Sequence, residues 1–310
     1  VRALLTGSAG MLGSSITQAW GRIRPKDDLV GVDLADLDLR DRVAVTAFVR
    51  DTRPEAIIHV AARVGGIADR IAHPSGYLLD NLLIDTSVLS ASLDMGVKEL
   101  LYVSSAAIYP AETPQPITED ALLTGPLEGP LESYSLAKIA GARFCRYASE
   151  EFGVRYRAMV PANMYGPGED YSPDRSHLVA SSLRKMHEAK ASGASEVQVW
   201  GDGTARREVT FVSDVADFIV SHSGHLDTWP DLLNVGYGSD VTVREVYETA
   251  REVVGVDVEL RFDTNKPVGV SQRLLDSTRA LSLGWRPTTD LLTGMGLSYA
   301  SFIAGNESRN

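Results

Sequence analysis

Tyr134-Ser135-Leu136-Ala137-Lys138 sets a phenol and an ammonium four residues apart. On a helix that spacing puts both side chains on one face. An ammonium next to a tyrosine hydroxyl stabilises the phenolate, so Tyr134 is suited to give or take a proton while hydride moves at the adjacent carbon. Ser105 closes the run LLYVSS, 29 residues before Tyr134, and its hydroxyl can hydrogen-bond the reacting oxygen. Neighbouring strand residues face opposite ways, so only one of Ser104 and Ser105 can point at such a site.

A third feature is the turn Gly7-Ser8-Ala9-Gly10-Met11-Leu12-Gly13, a GxxGxxG spacing between a strand-like run and a helix-length segment. Glycines there permit positive φ and close backbone approach, and the free N–H groups opening a helix attract a pyrophosphate. Asp33 ends the second strand-like run 20 residues after Gly13. A carboxylate at that place accepts hydrogen bonds from adenosine ribose hydroxyls and repels a 2′-phosphate, which favours NAD and leaves NADP possible. The alternative is that Asp33 only caps a loop.

These residues need elements to hold them. Arg2 to Thr6, Leu29 to Asp33, Ala56 to Val60, Glu99 to Ser104 and Arg155 to Val160 read as strands. Met11 to Arg22, Arg42 to Thr52, Gly76 to Met95 and Ser133 to Phe152 carry helical periodicity between them. The alternation predicts an α/β fold, a doubly wound parallel sheet with helices on both faces. After Pro161 the pattern turns irregular through GPGEDYSPDR, then helix-like from His177 to Ala191. A strand over Glu208 to Val212, an Asp214-capped helix and a strand over Leu232 to Val235 follow. The expected division is a dinucleotide-binding domain over 1–165 and 206–238, with a smaller substrate-binding lobe over 166–205 and 239–310. The terminal GNESRN reads as a frayed tail.

Composition narrows the function class. Thirty basic against 41 acidic residues give a net charge of -11, which opposes nucleic acid and anionic membranes as partners. One cysteine excludes an internal disulfide framework, and no spacing suggests a metal site. The opening run VRALLTGSAG is too short for a signal peptide or membrane span, so a cytoplasmic setting is expected. The chain starts without methionine, which fits processing or trimming.

The motifs AARVGGI (Ala61 to Ile67), SAAIYP (Ser105 to Pro110), YSLAKIAG (Tyr134 to Gly141), NMYGP (Asn163 to Pro167) and VWGDGTARRE (Val199 to Glu208) resemble the GDP-fucose synthase family of extended short-chain dehydrogenases. SHL with HEA around Ser176 to Ala189 and RLLD at Arg273 to Asp276 extend the likeness over nearly the whole chain. The resemblance implies a catalytic triad of Ser105, Tyr134 and Lys138, and a homodimer acting on a nucleotide sugar. It implies cofactor contacts at Gly7, Gly10, Met11, Leu12, Gly13, Asp33, Asp38, Leu39, Ala61, Ala62, Pro161 and Asn163, beside Tyr134 and Lys138. Substrate contacts carry over to Asn163, Lys185, Trp200, Arg207 and Arg273; for His177 three readings stay open, a substrate hydrogen-bonding group, half of a disabled acid/base pair, or a loop histidine without a chemical role.

Two departures stand out. The family epimerises with a cysteine two residues after its serine and a histidine in the later helix; here Ala107 takes the cysteine position and His177 is retained. Alanine cannot move a proton. The lone Cys145 lies about two helical turns beyond Lys138, where packing is the expected role. The family's NADPH-binding arginines also have no counterpart in GSAGM or VGVDLAD. The expected activity is a 4-ketoreductase of a dTDP- or GDP-linked 4-keto-6-deoxyhexose with 3,5-epimerase activity lost. Rivals are an epimerase/reductase of the GDP-fucose synthase type, an NAD-retaining nucleotide-sugar 4-epimerase and a dinucleotide-sensing binding protein.

Overall fold

Short runs in which nearly every residue is apolar have no face to give to solvent, and they become inner strands of a parallel sheet. In the computed structural model, which describes residues 1–173, 175–266 and 269–307, five runs form β1 (Arg2–Thr6), β2 (Asp28–Val32), β3 (Ala56–His59), β4 (Glu99–Val103) and β5 (Arg155–Pro161), of which all but the partly exposed edge strand β2 lie inside the sheet. Every residue of β3 and β4 is buried. The chain then leaves the sheet for β6 (Asn163–Tyr165), β7 (Glu196–Trp200), β8 (Arg206–Arg207) and β9 (Val209–Phe211). It returns as β10 (Leu232–Val235), and β11 (Val241–Thr242), β12 (Glu259–Asp263) and β13 (Gln272–Arg273) follow. The main sheet has the order β10-β5-β4-β3-β1-β2 and is parallel throughout.

Helices α1 (Met11–Ile23), α2 (Arg42–Thr52), α3 (Ile67–Ala72), α4 (Pro74–Asp94) and α5 (Glu132–Phe152) connect these strands. The later ones are α6 (Leu178–Ser192), α7 (Val212–His222), α8 (Val243–Val254), α9 (Thr278–Ser282) and α10 (Leu291–Glu307). On one face of the sheet α1 and α7 bury Ile16, Trp20, Val215 and Phe218. On the other, α2, α4 and α5 bury Val49, Leu89 and Cys145. A third core, holding Leu183, Met186, Val199, Val246 and Met295, joins α6, α8 and α10 to β7 and β9. Among the described residues no helix is long and apolar enough to cross a membrane.

Asn234 on β10 ties the loop after β4 to the sheet. Its side chain accepts from the Tyr109 hydroxyl (2.6 Å) and donates to the Ile117 carbonyl (2.9 Å), while its backbone N–H donates to Glu119 (3.0 Å). All of this is buried, so each polar group has its partner inside the protein.

Three local expectations are corrected. The strand expected over Glu208 to Val212 is shorter: Val212 already opens α7, and Glu208 lies between two short strands, its buried carboxylate accepting from the Gly238 and Leu275 N–H groups (2.7 and 2.9 Å). Strand β8, just before Glu208, pairs with β11 and β13, and β9 pairs with β6. Asp214 does not cap α7; Phe211 is the N-cap, and Asp214 in the first turn accepts from Thr288 and Thr289. Helix α10 runs to Glu307, into the segment read as a tail, whose last three residues lie outside those described.

In this strand order β1 lies between β2 and β3, and successive crossovers diverge there. The carboxyl ends of strands at such a reversal leave a crevice for a ligand.

Candidate active site

The crevice opens at the glycine turn. Gly7 has φ +72°, and a Cβ there would come within 2.8 Å of the Ala61 Cα at the end of β3. A Cβ on Gly13 would stand 2.0 Å from the Gly7 carbonyl oxygen. Gly10 is the N-cap of α1 and offers no side chain to its amides. The first N–H groups of the helix thus remain available to an anion, in a cradle that any side chain at Gly7 or Gly13 would fill. The turn fits a dinucleotide pyrophosphate.

A cleft of about 780 Å³ runs from this turn across the carboxyl edge of the sheet. Gly7, Gly10, Met11, Leu12, Gly13, Asp33, Asp38, Leu39, Ala61, Ala62, Pro161 and Asn163 line it, as do Ser105, Tyr134 and Lys138. At the β2 end, Asp33 accepts from the Ala35 N–H (2.8 Å). Asp38 binds Arg40 through both carboxyl oxygens, and this guanidinium holds the Asp38 pKa down to about 2. Asp80 pairs with Arg40 (3.4 Å) and Arg63 (2.9 Å). Three carboxylates against two guanidiniums give this edge a negative balance.

The chemistry-bearing residues meet near the middle of the cleft. Tyr134 and Lys138 are both buried on α5. Ser104 and Ser105 both line the cleft; the buried Ser104 hydroxyl donates to the Lys138 carbonyl (3.5 Å), and Ser105 is the less buried of the two. Ser105 caps the 3₁₀ turn 106–108, accepting from the Ala107 N–H (3.3 Å), and Ser135 anchors that turn by donating to the Ala107 carbonyl (2.8 Å). Ala107 packs with Tyr77 and Tyr134. Cys145 is fully buried, and burial pushes its thiol pKa up.

Arg70 on α3 went unnoticed in the sequence. It is 8% exposed, its Nε donates to the Gly65 carbonyl (2.9 Å), and its guanidinium lies 4.3 Å from the centre of the Tyr134 ring. His177 is accessible from the cleft, yet protein crowds its imidazole. Desolvation and then the Arg70 charge push its pKa down. Glu169 was also missed: both carboxyl oxygens are shielded from solvent without a hydrogen bond of good geometry, and burial raises its pKa to about 8. No short-range pattern marks Arg70 or Glu169: the first meets Tyr134 from the short helix α3, and the second lies in the irregular stretch between β6 and α6.

Arg207 and Arg273 reach the cleft on β8 and β13. Arg273 donates to the Ala106 carbonyl (3.0 Å) and pairs with Glu128 (3.2 Å), so it braces the serine turn. Lys185 and Trp200 are not brought into the lining. The Lys185 ammonium donates to the Gln198 carbonyl (2.9 Å), and Trp200 is 42% exposed at the end of β7.

The pattern of the NAD dependent epimerase/dehydratase family matches residues 3–236. GDP-L-fucose synthase of Azorhizobium caulinodans is 36% identical over 99% of this chain and 97% of its own length. GDP-L-colitose synthase of Yersinia pseudotuberculosis is 34% identical, covering both chains completely. Among solved structures, a GDP-mannoheptose C4 reductase from Campylobacter jejuni with NADP bound is similar at a TM-score of 0.88 and 28% identity, over 97% of this chain and 98% of that one. The family match runs from the first strand of the sheet to its last, and with relatives aligned along the full chain the protein belongs to the NAD dependent epimerase/dehydratase family.

Proposed function

We propose that this protein is a nicotinamide-dependent 4-ketoreductase of a nucleotide-linked 4-keto-6-deoxyhexose, without 3,5-epimerase activity. The observation that carries the reading is Ala107, packed against Tyr77 and Tyr134 at the position of the epimerising cysteine, in a cleft otherwise lined by Ser105, Tyr134 and Lys138. The GDP-sugars named for the relatives support GDP over dTDP as the carrier.

A nicotinamide dinucleotide, when bound, supplies hydride to the C4 carbonyl. Tyr134 donates its proton to the C4 oxygen, and Ser105 donates a hydrogen bond to the same oxygen as charge develops there. Lys138, one turn along α5, offsets the phenolate left on Tyr134. The Arg70 guanidinium over the ring adds a second positive charge. The negative edge formed by Asp33, Asp38 and Asp80 supports NAD over NADP.

We assign 1–165 and 206–238 to the dinucleotide domain and the remainder to a substrate lobe, in keeping with the separate core around α6, α8 and α10. A homodimer is supported by exposed Leu79 and Leu83 on α4 and Leu136 and Tyr147 on α5, each pair at helical repeat spacing. The test is incubation with GDP- and dTDP-4-keto-6-deoxyhexose and NADH or NADPH in deuterated water. Cofactor oxidation without deuterium at C3 or C5 supports the proposal. No oxidation rejects it, and deuterium at either carbon restores the epimerase/reductase alternative.

A further inference from the structure

Beneath Lys138 lies a polar group of side chains that the reaction above does not use. Asp85, midway along α4, is 2% exposed, and one of its oxygens stands 3.5 Å from the Lys138 ammonium and 3.1 Å from His59 Nε2. Its other oxygen accepts from the Tyr102 hydroxyl at 2.5 Å. His59 Nδ1 lies 2.7 Å from the Thr6 hydroxyl, directly before the glycine turn. Thr6, His59 and Tyr102 are each at most 1% exposed.

The charge states follow from these contacts. Burial pushes the His59 pKa down, so a neutral ring donates from Nε2 to Asp85 and accepts at Nδ1 from Thr6. Burial, reinforced by Asp85, holds Tyr102 protonated. Burial opposes charge on Asp85, but Lys138 together with the His59 and Tyr102 hydrogen bonds keeps it ionised, its pKa below the usual value. One carboxylate and one ammonium remain. Among the described residues no other carboxylate lies within ion-pair distance of Lys138, and the Tyr102 ring stands 4.6 Å from its ammonium.

We infer that Asp85 is a positioning residue: oriented by His59 and Tyr102, it is the counter-ion that keeps Lys138 charged and fixed one helical turn from Tyr134. A lysine that is 1% exposed and loses its counter-ion gives up its proton to escape the cost of a bare buried charge. Besides Asp85, the titratable groups around Lys138 are His59 from β3, Tyr102 from β4, and Tyr134 and Cys145 from α5 itself. Burial holds His59 neutral and keeps the Tyr102 hydroxyl and the Cys145 thiol protonated, so none of these three supplies a negative charge at neutral pH. The inference rests on the ketoreductase reading only in that Lys138 serves Tyr134.

Two readouts test it with Asp85→Asn. In steady-state reduction of GDP-4-keto-6-deoxyhexose by NADH, kcat relative to wild type falls about 30-fold further between pH 6 and pH 8.5, and Asp85→Glu recovers most of the loss. A relative loss that is the same at every pH overturns the counter-ion role. The second readout needs no activity. In chemical unfolding, the deficit of Asp85→Asn is largest at pH 6 and shrinks toward pH 9.5, because the variant's folded state sheds a proton that its unfolded state retains. Should that variant not fold, Lys138→Met gives the opposite sign, its deficit growing from pH 5 to pH 8 as the orphaned carboxylate ionises. Deficits flat in pH overturn the inference. A wild-type enzyme inert toward nucleotide sugars sinks the ketoreductase reading while the unfolding arm still decides this one.

Discussion

Gly13 and Gly10, in the turn that opens α1, are predicted to respond differently to alanine. At Gly13 the added Cβ would lie 2.0 Å from the Gly7 carbonyl oxygen and 2.8 Å from both the Gly7 carbonyl carbon and the Ser8 Cα. All three are backbone atoms, so relief requires the turn itself to move by about 1.4 Å or more to regain ordinary contact. Overpacking of this kind costs about 1–3 kcal/mol. For a chain of 310 residues, with an unfolding entropy of about 2.1 cal/mol/K per residue, that is a fall in Tm of about 2–5 °C. The same shift displaces the amides that open α1, and NADH affinity drops at least about tenfold. Gly10→Ala is the control: its Cβ meets only the Gly7 oxygen, at 3.4 Å, with φ at −71°, and its Tm stays within about 1 °C of wild type. Thermal scanning and fluorescence titration with NADH measure both quantities. A Gly13→Ala protein with wild-type Tm and Kd, or a Gly10→Ala protein that loses as much Tm, would refute the steric reasoning.

Tyr134→Phe is expected to lower kcat by about 10²–10⁴ while the Kd for NADH changes less than about twofold, and a parallel loss of binding would contradict its role as proton donor. Folding raises the Glu169 pKa to about 8, so its stability penalty is absent near pH 4 and grows as pH rises through 8. Glu169→Gln should therefore match wild type in urea unfolding at pH 4.5 and exceed it by on the order of 2–4 kcal/mol at pH 9; an equal difference at both values contradicts the buried-acid assignment. Because Trp200 stands outside the cleft lining, Trp200→Ala should leave the KM for the nucleotide sugar within about twofold, and a tenfold rise would restore it as a substrate contact.

Much of the main sheet and its flanking helices was legible in the sequence because its determinants are local. Apolar runs at β1, β3 and β4 can only be inner strands, and glycine spacing at a strand–helix junction has few other physical uses. That Ser105, Tyr134 and Lys138 line one cleft was readable for the same reason: strand ends and an i, i+4 pair are short-range facts. The six-residue α3 is too short for periodicity to mark, and it carries Arg70. Asp214 had the look of a cap, but its acceptor capacity goes to Thr288 and Thr289, more than 70 residues away. Trp200 and Lys185 matched by motif, and their distance from the cleft is set by how β7 and α6 pack in the third core, which no spacing along the chain records. Asp85 and His59 read as an ordinary helix face and strand end; their significance arises only when α4 and β3 close over Lys138.

The return of the chain to the main sheet as β10 has a consequence during synthesis. The five earlier strands are complete once Pro161 has been made, but β5 then has an unpaired edge, and the loop bearing Ser105 lacks the Asn234 anchor. Roughly 70 residues separate Pro161 from Leu232, and at about 5–20 residues per second the ribosome takes about 4–14 s to supply them. For that interval the nascent chain carries an open strand edge, the feature most prone to pairing with a neighbouring chain. A messenger truncated ahead of the codon for Leu232 would make that exposure permanent.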